Sequence, residues 1–571
     1  ETYGEDPYLT SHLGVAFVKG LQGDDPRYLK LVATPKHYAV HSGPEADRHH
    51  FNAEVDERDL RQTYLPAFEA CVREGQAASV MGAYNRTNGE PCCASPRLLQ
   101  QILRDEWGFD GYVVSDCGAI SDIHRHHRVV DTPEEAAALA VKEGCDLECG
   151  QVYQYLIAAV GKGLITEEEI DRALTRLFEA RFRLGMFDPP DIVPYAQIPF
   201  AVNDSPAHRE LALCAARESL VLLKNDGLLP LDRESVKSLA VIGPNADSLD
   251  VLLGNYNGTP SEYSTPLQGI GSKLEESVRV LYAPGCQVLG SETGGFSEAV
   301  ATARQADVAI VVLGLSPRYE GEEGDSEGDR LDIDLPGVQE ELLKAVHGTG
   351  TPVVLVLMNG SAVATNWAEA HIPAILEAWY PGEEGGTAIA EVLFGDYNPG
   401  GRLPVTFYKS VDQLPPFTDY CMQGRTYRYF SGETLYPFGF GLSYTTFDYS
   451  NLQITPQTIT PDAGVLVAVQ VENPGSRAGD EVVQLYVKDI SATVPVPIRQ
   501  LQGFTRIHLK PGEKRWVQFT LMPSQLAVID AEGRSVVEPG EFQITVGGGQ
   551  PDTGRAWSGV TGTLRVTVSN S

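Results

Sequence analysis

The sequence predicts an α/β protein that ends in an all-β domain, and three observations carry that reading. Short β-type runs alternate with helical stretches through the first 185 residues; a second alternation, with almost wholly apolar strands, runs from about 206; period-2 strands without helical pattern follow from about 446.

In the first stretch the strand candidates are 31–40, 79–85, 111–118 and 145–150, separated by helical segments such as 96–108 and 132–144. Each strand ends in polar residues: Lys36 and His37, Tyr84 and Asn85, Ser115 and Asp116, Asp146 and Glu148. Polar groups gathered at the carboxyl ends of parallel strands are how a (β/α) barrel builds an active site, although an open doubly wound sheet would give the same pattern. A closed (β/α)8 barrel takes eight strands and only about four are found, so the expectation is a partial barrel whose N-terminal half precedes Glu1.

Residues 186–205 are proline-rich, without helical period, and read as a linker. Beyond them the strand candidates are 238–246, 278–285, 308–316, 352–360 and 374–382. Their near-continuous apolar runs predict a parallel sheet buried on both faces. No Walker-type or GxGxxG loop follows any of them, which leaves nucleotide binding without support. The alternating runs after 446 predict an antiparallel sandwich of immunoglobulin or fibronectin type, to which no chemistry is assigned.

Composition narrows the partners. The 571 residues carry 44 basic and 77 acidic side chains, a formal charge of −33. Such a chain repels phosphate backbones and anionic lipid, and no local basic patch offsets this, so neither nucleic acid nor a membrane surface is expected as a partner. No apolar run is long enough to cross a bilayer. The nine cysteines are scattered, unlike a small disulfide scaffold, and Cys145 and Cys149 lack the second pair of a zinc site, so they read as structural thiols.

Three segments suggest chemistry. Asp116 ends a β-branched strand, where a carboxylate can act as nucleophile or base; the alternative is a cap on the next helix. The loop 318–330 clusters Glu320, Glu322, Glu323 and Glu327, and mutual repulsion raises at least one pKa, which suits a general acid; the alternative is a solvated charge run. The third is 35–50, where Lys36, His37 and Arg48 could hold a hydroxylated or anionic ligand. A zinc site from His37, His41, His49 and His50 matches no helical ligand spacing, and the HRHH run at 124–127 reads as a solvated loop, so no metal is expected. Two carboxylates from two domains are the equipment for glycoside cleavage: one attacks the anomeric carbon while the other protonates the leaving oxygen and then activates water, with retention at a separation of about 5 Å.

The strings ETYGEDPYL, PKHYAV, DERDLRQTYLPAFE, GAYNRTNGEPCCAS, LRDEWGFDGYVVSDCGAI, VLLKNDGLLPL, GDYNPGGRLPVTF and TYRYFSGETLYPFGFGLSYTTF, in this order, span essentially the whole chain. On them the chain resembles glycoside hydrolase family 3, the family of β-glucosidases and β-xylosidases. The resemblance implies a (β/α)8 barrel domain at 1–185, an α/β sandwich domain at 206–445 and a fibronectin type III-like domain at 446–571. It makes Asp116 the nucleophile and Lys36, His37, Arg48 and Tyr84 the sugar-hydroxyl ligands of the first subsite. The acid/base falls on Glu322, with Glu323 and Glu327 as alternatives, because EGEEGDSEGDR carries an insertion relative to the family's string. Cys117 stands where typical β-glucosidases have Trp, so it joins the substrate-facing residues. SDCGAI together with GCDLECG (144–150) looks like the β-xylosidase branch. The KHFPGHG string of the N-acetylglucosaminidase subgroup is absent.

The implied activity is exo-acting, retaining hydrolysis of terminal β-D-xylosyl residues from xylo-oligosaccharides. A β-glucosidase, or a non-catalytic, degenerate carbohydrate-binding homologue, are the alternatives. The substrate would be an oligosaccharide or aryl β-glycoside, and the chemistry needs no cofactor. Family members acting on plant polysaccharide are often secreted or periplasmic. The sequence gives no oligomeric state.

Overall fold

The computed structural model describes residues 3–41, 43–321, 329–555 and 557–567. It divides into two compact units, one formed by Glu1–Phe200 with Pro415–Gln423 and Ile529–Ser535, the other by Ala201–Leu414, Gly424–Val528 and Val536–Ser571.

In the first unit, strands β1 (Ser79–Gly82) and β2 (Tyr112–Ser115) pair in parallel. Tyr38 bridges to Gly82 on one side and Leu147 to Val114 on the other, both in parallel. All four strand candidates therefore lie side by side in chain order. That progression is a barrel's; a doubly wound sheet would reverse its order at a switch point. The intervening helices are specified locally. Pro133–Glu143 starts in a capping box, with Glu135 N–H donating to Thr132 Oγ1 at 3.3 Å and Thr132 N–H to Glu135 Oε2 at 3.0 Å, and it ends at Gly144 with φ 105°. Its Ala136, Ala137 and Ala140 are buried with Leu99, Ile102 and Leu103 of the helical segment Pro96–Glu106 against Val113 of β2. The later segment 415–423 also belongs to this core: Tyr420 is buried in it, its hydroxyl accepts from Gly43 N–H at 2.7 Å and its carbonyl from the Tyr64 hydroxyl at 2.8 Å.

The second unit holds a six-stranded sheet built from β3 (Val221–Asn225), β4 (Ser238–Ile242), β5 (Arg279–Ala283), β6 (Val308–Gly314), β7 (Val353–Met358) and β8 (Ala374–Glu377), in the order β3-β8-β7-β6-β4-β5. Every pair is parallel except β3 on β8. The apolar runs of β4, β6, β7 and β8 are buried along their whole lengths, as a sheet covered on both faces requires. The antiparallel edge strand β3 is absent from the sequence reading, because VLLKN shows neither alternation nor a long apolar run.

The C-terminal part is a two-sheet β-sandwich. Strands 448–455, 465–472 and 514–521 form one antiparallel sheet. The other, in the order 458–459, 559–566, 540–547, 479–489 and 500–509, is antiparallel except for its short edge strand. Between them Val467, Val469, Leu485, Phe542, Ile544 and Leu564 are almost fully buried.

Candidate active site

Strand β2 delivers Asp116 to the carboxyl end of the parallel array, where its N–H donates to Gly82 O at 3.1 Å. The chain then turns at Gly118, whose φ of 91° is open to glycine at little cost, and enters the helix Ala119–Arg125. The Asp116 side chain does not cap that helix, which corrects the capping alternative. Instead its Oδ1 accepts from Cys117 N–H at 2.7 Å and its Oδ2 lies 3.1 Å from His37 Nε2.

Burial alone would raise the Asp116 pKa. The His37 hydrogen bond, the Cys117 N–H, the His37 charge and the Tyr84 hydroxyl outweigh it and hold the carboxyl below its usual range. The result is a carboxylate that stays ionised with its side chain only 13% exposed.

Of the predicted ligands, His37 and Tyr84 interact with it directly. His37 is buried, with the half-buried His41 stacked on it at 4.0 Å between ring centroids. Burial, with the neighbouring His37 and Arg48 charges, pushes the His41 pKa down to about 3, so the ring is neutral. Tyr84 donates to Cys117 O at 3.0 Å, and the buried Arg48 guanidinium lies 4.6 Å from the Tyr84 ring centre. Lys36 is exposed beside His37.

The other strand-end groups serve the scaffold. Asp146 turns inward to Arg104 at 2.9 Å and Arg176 at 2.8 Å and accepts from Val113 N–H at 2.9 Å. Glu148 accepts the backbone N–H groups of Val152 and Tyr153. Asn85 is fully buried and donates to Val40 O and Arg86 O.

Two expectations, one about Cys149 and one about the HRHH run, are corrected. Cys149 is no free thiol: it forms a disulfide with Cys117, joining the end of β2 to the adjoining parallel segment, while Cys145 remains a free, buried thiol. Cys117 is thus exposed beside Asp116 as half of a cystine. The HRHH run is no solvated loop: His124 and Arg125 end the helix Ala119–Arg125, His126 pairs with Asp122 and His127 is buried. His37 and His41 face Asp116, whereas His49 pairs with Asp122, so His37, His41, His49 and His50 share no one centre.

Glu322, Glu323 and Glu327 lie outside the described residues. Within the second unit, Glu320 ends the one-turn helix Pro317–Glu320. Its carboxylate accepts from Gly360 N–H at 2.8 Å and from the Ser361 and Tyr380 hydroxyls. Glu377, at the end of β8, is fully buried, accepting from Asn359 Nδ2 at 3.0 Å and Trp379 N–H at 2.9 Å. Burial, to which the Glu320 charge adds, pushes its pKa up to about 8. Sequence reasoning missed Glu377, since a lone Glu at a strand end carries no motif.

A parallel array with an ionised carboxylate at its strand ends is the layout of a barrel enzyme's active site. Residues 1–180 match the glycosyl hydrolase family 3 N-terminal domain, 220–444 its C-terminal domain and 481–550 a fibronectin type III-like domain. A xylan 1,4-β-xylosidase of Xylanibacter ruminicola is 36% identical over 96% of this chain and 81% of its own. Among solved structures, a family 3 exo-β-xylosidase in complex with a xylobiose aziridine probe superposes with a TM-score of 0.91, at 31% identity over 99% of this chain and 76% of the other. A β-glucosidase of Erythrobacter marinus gives 0.89, at 36% identity over 98% and 78%. The chain belongs to glycoside hydrolase family 3 and is a glycoside hydrolase.

Proposed function

We propose that this glycoside hydrolase is an exo-acting, retaining β-xylosidase that removes terminal non-reducing β-D-xylosyl residues from xylo-oligosaccharides. The observation that carries the reading is the state of Asp116: a carboxylate kept ionised by His37, Cys117 N–H and Tyr84 at the carboxyl end of a parallel strand. An ionised, partly desolvated carboxylate is the nucleophile this chemistry needs.

Asp116 attacks the anomeric carbon as the glycosidic bond breaks, giving a glycosyl-enzyme. Glu322, as the acid, gives its proton to the departing oxygen; as a carboxylate it then takes a proton from the water that releases the sugar and frees Asp116. Lys36, His37, Arg48 and Tyr84 bind sugar hydroxyls in the first subsite, with Cys117 facing the substrate beside the nucleophile. The reading assigns the nucleophile to a barrel domain at 1–185 and the acid/base to an α/β domain at 206–445, joined by 186–205 and followed by the sandwich at 446–571. Support for xylose comes from the SDCGAI and GCDLECG strings and from the xylosidase relative.

The test is trapping with 2,4-dinitrophenyl 2-deoxy-2-fluoro-β-D-xyloside, whose glycosyl-enzyme accumulates, followed by peptide mapping. The expected adduct sits on Asp116; a stable adduct on another residue, or turnover that the reagent leaves untouched, sinks the assignment. The similarity to a β-glucosidase structure favours glucose as the second reading. Initial rates on p-nitrophenyl β-D-xyloside and β-D-glucoside separate the two, and sugar binding without turnover on either would point to a degenerate homologue.

A further inference from the structure

Two histidines outside the active site, His49 and His126, converge on one carboxylate. Asp122 lies on the helix that follows the nucleophile turn, and its side chain is 4% exposed. One of its oxygens is 2.7 Å from His126 Nδ1 and the other 2.8 Å from His49 Nδ1. One ligand atom from each of these three residues lies within 4.8 Å of the others. His50, exposed next to His49, stands with its ring centroid 4.6 Å from that of His126, and the His49 ring is 5.6 Å from the same centroid.

Those spacings have a chemical meaning. Zinc holds imidazole nitrogens at about 2.0–2.1 Å in a tetrahedral arrangement, which sets neighbouring ring centroids roughly 5 Å apart. The two ring spacings bracket that value. Three imidazoles and one carboxylate are the donors of a borderline cation, whereas magnesium and calcium take oxygen sets. The burial also fits: a shielded carboxylate lies behind imidazoles that open to solvent, the His49 and His126 side chains being 30% and 36% exposed.

We propose that His49, His50, His126 and Asp122 form a binding site for a divalent transition metal ion, with zinc as the best match. The ion would replace the protons between Asp122 and the two Nδ1 atoms. It would tie the segment that carries Arg48 to the helix that begins just after Asp116. The site is separate from the His37–His41–Asp116 group and takes no part in bond cleavage.

The experiment is calorimetric titration of zinc chloride into the chelator-treated full chain, with the thermal midpoint followed in parallel. The expected result is one site of micromolar or tighter affinity and a midpoint that rises with zinc. In His126→Gln the affinity falls at least tenfold and the rise disappears, while the zinc-free midpoint stays near that of the parent. His50→Gln weakens binding less, and His41→Gln leaves it intact. Absence of binding by the parent chain, or unchanged affinity in His126→Gln, overturns the proposal. Loss in His41→Gln with retention in His126→Gln also overturns it, by giving the ion to the group around Asp116. Should His126→Gln fail to fold, His50→Gln decides: unchanged affinity there overturns the site, and a several-fold loss supports it.

Discussion

Asp116 and Glu377 are both carboxylic acids at the ends of parallel strands, one in each unit, yet their environments drive them in opposite directions. Asp116 is only partly buried, beside an imidazole, a backbone N–H and a phenol, and is held below its usual pKa. Glu377 is sealed off with two donors and a like charge nearby, and its pKa is pushed up to about 8. The number of donors does not separate them. Asp116 has a partner that can carry positive charge and access to solvent; Glu377 has neither, so desolvation wins. A strand-end position by itself therefore does not make a nucleophile.

The largest test of that contrast is Asp116→Ala. kcat/KM on p-nitrophenyl β-D-xyloside should fall by about a thousandfold or more, with the far-ultraviolet dichroism unchanged. A loss under tenfold would remove Asp116 from the chemistry. Next comes Asp146→Ala, one strand further along the same array, which leaves Arg104 and Arg176 without their buried partner. It should cost about 3–5 kcal/mol of stability by denaturant titration, and a cost below about 1 kcal/mol would refute the structural role assigned to this second strand-end aspartate.

His37→Gln sharpens the comparison from the Asp116 side. Removing the imidazole should raise the pKa on the acid limb of the kcat/KM–pH profile, because that group is the main opponent of burial at Asp116. A limb that stays in place would mean that Cys117 N–H and Tyr84 suffice.

Glu377→Gln tests the other side of the comparison and concerns stability. Between the ordinary value of 4.5 and about 8 the native Glu377 keeps a proton that the unfolded chain releases. Native stability therefore falls as pH rises through that window, and the contribution is lost as the pH passes about 8. The Gln variant, having no proton to lose, should gain on the parent steadily from pH 5 to pH 8 in thermal midpoint. A constant difference between the two would show that Glu377 titrates normally.

Much of this is legible in the sequence alone. The strand ends at Lys36–His37, Tyr84, and Ser115–Asp116 stood out because alternating β and α segments place polar residues where a barrel opens. The apolar strands from 238 to 377 announced a sheet covered on both faces. What the sequence hid depends on residues brought together from far apart. Asp122 meets His49 across 73 positions, and Cys117 meets Cys149 across 32. Nine cysteines allow many pairings, and a histidine run gives no sign of the carboxylate it will face. Glu377 escaped because its character comes from what covers it rather than from its neighbours in the chain.

That the first unit is completed by Pro415–Gln423, far along the chain, has a practical consequence for anyone who would take the enzyme apart. A fragment ending at residue 200 would lose Tyr420, whose ring lies 5.4 Å from Phe51, and Met422, whose N–H donates to the largely buried Asp59 at 2.8 Å. Such a fragment would expose aromatic surface and leave a carboxylate without its donor, and it should be prone to aggregation. Cutting this protein at the boundaries its linear sequence suggests would divide a folding unit rather than release one.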